Sequence, residues 1–158
     1  MEENRIIRDL RVLTEEFIPS RIMHRDSQLG TLQANLAPLL SDGRPRHSFL
    51  YGPPGTGKTS LSLYMVEELK KLVPVTVAYI NCWESATRYS ILYSILRGLG
   101  MFVQRKGIPT DELLETFRNK VRGSGLVVLD EVDRLEEGEI LYDLIQAGVG
   151  MVMISNSE

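Results

Sequence analysis

Residues Tyr51-Gly52-Pro53-Pro54-Gly55-Thr56-Gly57-Lys58-Thr59 carry the spacing G-x-x-x-x-G-K-[ST]. Residues of these types at this spacing suit a chain of phosphates. The glycines let the backbone curl through positive φ, so that successive N–H groups turn inward around an anion. Lys58 then reaches toward β- and γ-phosphates as a mobile point charge. The Thr59 hydroxyl suits Mg²⁺, and the helix expected to start there points its positive end at the phosphates. Pro53, Pro54, Gly55, Thr56, Gly57, Lys58, Thr59 and Ser60 are therefore the expected nucleotide contacts.

A glycine-rich turn that binds nothing is the bland alternative, and the flanks weigh against it. His47-Ser48-Phe49-Leu50-Tyr51 reads as a short buried strand, while Leu61, Tyr64, Met65, Leu69 and Leu72 fall at helical spacing. Strand, loop and helix form the context the motif needs.

Four apolar residues, Leu126 to Leu129, lead into Asp130-Glu131. A buried strand would deliver both carboxylates to the crevice at its carboxyl end, where α/β folds bind ligands. Asp130 is expected to hold Mg²⁺ through water. Glu131 is expected to orient or deprotonate the attacking water, which separates ATP hydrolysis from mere holding of ATP or ADP. A solvated acidic turn is the alternative. Asn156 follows a fourth strand that should lie between the strands carrying the loop and Asp130. Its amide could then donate to the γ-phosphate or to that water. Otherwise it is a turn-forming residue in Ser155-Asn156-Ser157.

The elements that position these groups alternate along the chain. Residues 1–16 read as an amphipathic arm around Ile6, Ile7, Leu10, Val12 and Leu13, or as a solvated lead-in. A helix capped by Asp26 or Ser27 runs through Leu29, Leu32, Leu36 and Leu39. Val75–Ile80 is β-branched and apolar on both faces, as a strand of a parallel sheet should be. Two helices follow: one over 87–97, and one with Thr110 as N-cap and Leu113, Leu114, Phe117 and Val121 as its buried stripe. A short acidic helix should pack Ile140, Leu141, Leu144 and Ile145 inward, before a strand over Val149–Ile154. Strands alternating with helices imply a parallel sheet with right-handed crossovers.

The 158 residues suit one domain or part of one, with ordinary globular composition. No apolar run approaches the ~18 residues of a membrane span, and charges occupy the N-terminal positions a signal peptide would make apolar; a cytoplasmic protein is expected. The single cysteine, Cys82, excludes an internal disulfide framework and reads as a small buried residue. Net charge is −3, so the whole chain does not announce a nucleic-acid binder. Yet residues 87–122 hold seven Lys/Arg against three Asp/Glu, while 123–158 hold one against eight. The basic stretch hints at a polyanion surface.

Gly52–Thr59, Leu129-Asp130-Glu131-Val132-Asp133 and Ile154-Ser155-Asn156 resemble the Walker A, Walker B and sensor 1 motifs of AAA+ ATPases. Phe17-Ile18-Pro19 with Arg25-Asp26, Tyr79-Ile80-Asn81-Cys82 with Thr87 and Tyr89, and the paired helices before Leu126 narrow the resemblance. They are similar to archaeal origin-recognition initiators of the Orc/Cdc type, over nearly all of 17–158.

The resemblance implies an α/β three-layer P-loop sandwich with sheet order 1-4-3-2, an ATPase core over 17–158 behind the arm of 1–16. It implies that Phe17–Arg25 cradles the adenine, Ile18 and Arg25 being contacts. It also implies that the extra helix after strand two grips origin double-stranded DNA. Arg88, Arg97, Arg105 and Lys106 are its basic residues, unless they only solvate two amphipathic helices. The replicative helicase is the further implied partner. Asp26 stands where the family commonly has Glu, and Ser157 where an acidic residue is common.

The family continues past sensor 1 with a fifth strand, an arginine finger, a helical lid with a second sensor arginine, and a winged helix. A fragment or truncated gene product is therefore expected. Its pocket would be open on one wall, its hydrolysis weak or absent, and its loop strand left with an unpaired edge that invites self-association. A clamp-loader or helicase-loader ATPase, or a nucleotide-binding fragment that no longer hydrolyses, stays open as an alternative.

Overall fold

A computed structural model of the chain describes residues 26–41, 43–122 and 125–157. The arm expected at 1–16 and the segment Phe17–Arg25, with Ile18 and Arg25, lie outside the described residues. Helix α1 (Asp26–Leu36) passes through a 3₁₀ turn (Ala37–Ser41) toward strand β1 (Ser48–Tyr51). The glycine loop leads into α2 (Lys58–Leu72), then β2 (Val77–Asn81). Helices α3 (Arg88–Gly98) and α4 (Thr110–Val121) precede β3 (Leu126–Asp130). A 3₁₀ turn (Val132–Arg134), α5 (Glu139–Gln146) and β4 (Gly150–Ser155) complete the order.

The four strands form one sheet in the order β1-β4-β3-β2, every pair parallel, as expected from the alternation. Side chains of β3 alternate between two cores. Val127 and Leu129 face Ile91, Leu92, Ile95, Leu96 and Phe117 of α3 and α4. Leu126 and Val128 face Leu29, Leu32, Leu61 and Met65 of α1 and α2. This period of two makes the three layers. It also puts Asp130, two residues beyond Val128, on the α2 side, where the glycine loop lies.

Local signals explain most boundaries. Thr87 closes a capping box with Ser90: its hydroxyl accepts from the Ser90 N–H at 3.1 Å, and its own N–H donates to Ser90 Oγ at 3.0 Å. At α4, Pro109 rather than Thr110 is the cap, because its extended backbone (φ −61°, ψ 147°) aims its carbonyl at the N–H groups of Glu112 and Leu113. Thr110 is already helical, and no side chain caps this end.

Two burial expectations need correction. β1 is an edge among the described strands, and Phe49 and Tyr51 are about half exposed, their rings 5.5 Å apart. Ile145 is 46 % exposed, because α5 turns Ile140, Asp143 and Leu144 inward instead. No described helix is long and apolar enough to cross a membrane.

Candidate functional site

Helix α2 starts on Gly57, which sits in the left-handed region (φ 85°, ψ 16°) and offers no side-chain cap. The orphan N–H groups of the first turn are therefore left to whatever enters in front of them. Gly55 is also left-handed (φ 76°), and a Cβ there would meet no protein atom within 4 Å. Glycine is needed for the backbone turn, while the concave side stays open. A cavity of about 460 Å³ lies here, lined by residues 55–60 of the loop and by Asn156.

Lys58 is 5 % exposed. Its Nζ donates to the carbonyls of Gly52 at 2.8 Å and Pro53 at 2.7 Å, and to Thr56 Oγ1 at 3.3 Å. All three acceptors are neutral, and among the described ion pairs none includes Lys58. A buried, uncompensated cation beside an uncapped helix N-terminus is a strong attractor for an anion.

The acidic half reaches the same place. Thr59 Oγ1 donates to Asp130 Oδ2 at 2.8 Å across 71 residues of chain. Tyr79 donates its hydroxyl to the same oxygen at 2.6 Å, and the Glu131 N–H donates to Oδ1 at 2.8 Å. Asp130 is 5 % exposed, so these donors hold a largely desolvated carboxylate. Burial first, then the bond to Asp130, holds the Tyr79 hydroxyl well above its usual pKa, so it remains a donor. Glu131 itself is left-handed (φ 53°, ψ 46°), a conformation that costs a non-glycine residue about 1 kcal/mol.

A hydroxyl and one carboxylate fit Mg²⁺. That ion takes one or two protein oxygens and fills its remaining positions with water and substrate phosphates. Among the described residues no group of three or more His, Cys, Asp and Glu gathers to form an all-protein cage.

Of the expected contacts, Gly55 to Ser60 and Asn156 share the cavity. Pro53 and Pro54 do not line it, although the Pro53 carbonyl holds Lys58. Asn156 is exposed, and its backbone N–H donates to Asp133 Oδ1 at 3.3 Å, as does Ser155 Oγ. Asp133 thus ties the end of β4 to the turn after Glu131. Sequence reasoning assigned no role to Asp133 or to Tyr79. For Asp133 a signal existed, its place in the acidic motif; for Tyr79 the partner depends on register.

The four basic residues do not stand alike. Arg97, Arg105 and Lys106 are exposed on the α3 end and the loop before α4. The Arg105 carbonyl accepts from the Tyr89 hydroxyl at 2.8 Å, which pins that loop to α3. Arg88, in contrast, donates from Nε and Nη2 to both oxygens of the buried Asp143, and its N–H donates to Glu137. Its charge is shared with Asp143, and its side chain is partly exposed, unlike the exposed other three.

Comparison with known proteins agrees with this geometry. A family model described as an AAA domain matches residues 41–156. The ORC1-type DNA replication protein 1 of Halobacterium salinarum is 41 % identical over 157 residues, covering 97 % of this chain and 51 % of that protein. The Aeropyrum pernix ORC1 protein, solved in complex with DNA, superposes with a TM-score of 0.77 at 29 % identity, over 94 % of this chain and 43 % of that one. Cdc6p from Pyrobaculum aerophilum gives 0.76 at 26 % identity, over 93 % and 42 %. The chain spans about half the length of these relatives or less. With the glycine loop, the acidic strand end and the 1-4-3-2 sheet in their expected places, the chain belongs to the AAA domain family and within it resembles the archaeal ORC1-type and Cdc6 replication proteins.

Proposed function

We propose that this chain is the ATP-binding module of a DNA replication initiator, with residues 17–158 as its ATPase core and 1–16 as a leading arm. One bond carries the reading: Thr59 on Asp130, which joins the loop and the acidic strand end in one site. Gly55 to Ser60 and Lys58 receive the phosphates, while Ile18 and Arg25 complete the adenine side. Thr59 and Asp130 would hold Mg²⁺, which would supply positive charge beside the phosphates. Glu131 takes the proton of the attacking water, and the Asn156 amide orients that water or the γ-phosphate.

ATP hydrolysis in this chain is slow, since an arginine finger contributes about 10³–10⁵ in rate and the described residues place no arginine at the cavity. The initiator reading is favoured over a clamp-loader or helicase-loader ATPase by relatives that carry ORC1-type names and by a neighbour solved with DNA. Origin duplex DNA is contacted through Arg97, Arg105 and Lys106, and the replicative helicase is the downstream partner. Labelled ATP should bind the wild-type chain in Mg²⁺ and bind Lys58→Ala at least about 10-fold more weakly, since a hydrogen bond to a charged group contributes 1.5–3 kcal/mol. Equal binding by the two proteins would remove the reading.

A further inference from the structure

Asp130 ends β3, and a carboxylate in that position rotates in a broad, two-fold torsional well. Something must choose its orientation. In the β2–β3 register Asn81 pairs with Asp130 and Tyr79 pairs with Val128. Tyr79 therefore stands two residues short of Asp130 on the same face, a diagonal that only a long side chain spans. It does span it: the hydroxyl reaches Oδ2 at 2.6 Å, on the oxygen that also takes the Thr59 hydroxyl at 2.8 Å. The two hydroxyls come from opposite neighbours, β2 and α2, and converge on one oxygen. The Glu131 N–H takes the other.

We propose that Tyr79 is a positioning residue of the nucleotide site: its hydroxyl fixes the rotation of the Asp130 carboxylate, so that Oδ2 faces the Thr59 hydroxyl where a divalent cation binds. This rests on the nucleotide reading given above.

A purely structural role would ask for the ring and not the hydroxyl. The residue, however, is 42 % exposed at the sheet edge, so its burial contributes only part of what a core aromatic does. The hydroxyl instead satisfies a carboxylate that is 5 % exposed. Thr59 can ligate a cation through its lone pairs while still donating its proton to Asp130. Both hydroxyl bonds therefore persist when the cation binds, and Tyr79 acts on the cation only through Asp130. Outer-shell partners of this kind typically set 10–100-fold of metal affinity.

The test is a Mg²⁺ titration of the full chain at fixed concentration of a fluorescent ATP analogue, for wild type and Tyr79→Phe. The half-saturating Mg²⁺ should rise about 10-fold in the variant. Analogue binding in EDTA should coincide for the two proteins. Coincident Mg²⁺ curves would overturn the proposal while leaving the nucleotide reading intact. A wild-type chain that binds no analogue at all would overturn that reading, and this inference with it. Should Tyr79→Phe fail to fold, 3-fluorotyrosine at position 79 decides instead. Its fluorine resonance should move when Mg²⁺ joins the analogue, and a resonance that Mg²⁺ leaves unmoved would overturn the proposal.

Discussion

Arg88 grips Asp143 at two points across 55 residues of chain, Nε on Oδ2 and Nη2 on Oδ1. The pair locks the start of α3 to the middle of α5. Asp143 is 5 % exposed, so removing Arg88 strands a carboxylate away from water. Breaking one side of a buried pair costs about 3–5 kcal/mol, and the partial exposure of the Arg88 side chain puts this case near the lower end. Arg88→Ala should therefore lower the unfolding free energy by about 3 kcal/mol in urea titration. Asp143 and Arg88 replaced together by apolar residues should lose less than Arg88→Ala alone.

The pairing of Arg88 with Asp143 sets it apart from Arg97, Arg105 and Lys106, which make no ion pair among the described residues. If Arg97, Arg105 and Lys106 contact duplex phosphates, each removal should lower the slope of log affinity against log salt by about 1. Fluorescence anisotropy with a labelled duplex at several salt concentrations measures this. A conservative Arg88→Lys chain should keep the wild-type slope. An unchanged slope for Arg105→Ala with Lys106→Ala would mean that these cations only solvate their loop.

Glu131 and Asn156 should separate binding from turnover. Among the described bonds neither side chain holds the phosphate loop: Glu131 gives its N–H to Asp130 and its carbonyl accepts from the Arg134 N–H, while Asn156 gives its N–H to Asp133. Glu131→Gln keeps that N–H and should leave ATP affinity within about two-fold while abolishing measurable phosphate release, since general-base help is worth about 10²–10⁴. Asn156→Ala should reduce kcat by about 10² with little change in KM, as for loss of one preorganised donor. Single-turnover phosphate release with excess protein suits the slow rates expected. Equal release by wild type and Glu131→Gln would favour a chain that only holds nucleotide.

The loop, the acidic strand end and the sheet order were legible because each is written in adjacent residues. Gly57 must be glycine for a left-handed turn, and Leu126 to Leu129 must be buried on both faces to sit inside a parallel sheet. What was not legible depends on three-dimensional neighbours. Tyr79 looked like one more apolar member of β2, because its partner Asp130 is fixed by inter-strand register rather than by sequence distance. Arg88 looked like its basic neighbours until α5 brought Asp143 under it. Ile145 followed the helical spacing, but an eight-residue helix has room for one inward stripe, and Asp143 takes a place in it.

Cys82 supplies a pH dependence with a definite sign. The thiol is fully buried, its N–H donates to the Asp130 carbonyl, and its pKa is pushed up from 9.0 to about 12, by burial first and then by the charge of Asp130. The folded chain therefore holds this proton more tightly than the unfolded chain. Between the two pKa values the native state binds more protons, so stability must fall as pH rises. The contribution is fully present below about pH 9 and is lost progressively toward 12, with a slope approaching 1.4 kcal/mol per pH unit. Tyr79 moves in the same direction, by burial and its bond to Asp130. The comparison that isolates the thiol is wild type against Cys82→Ala. The variant loses a fixed amount of packing at every pH, and its stability should decline less steeply above pH 9. Urea midpoints at intervals between about pH 7 and 11 measure both slopes. Parallel curves for the two proteins would mean that the buried thiol ionises in the folded chain as readily as in the unfolded one.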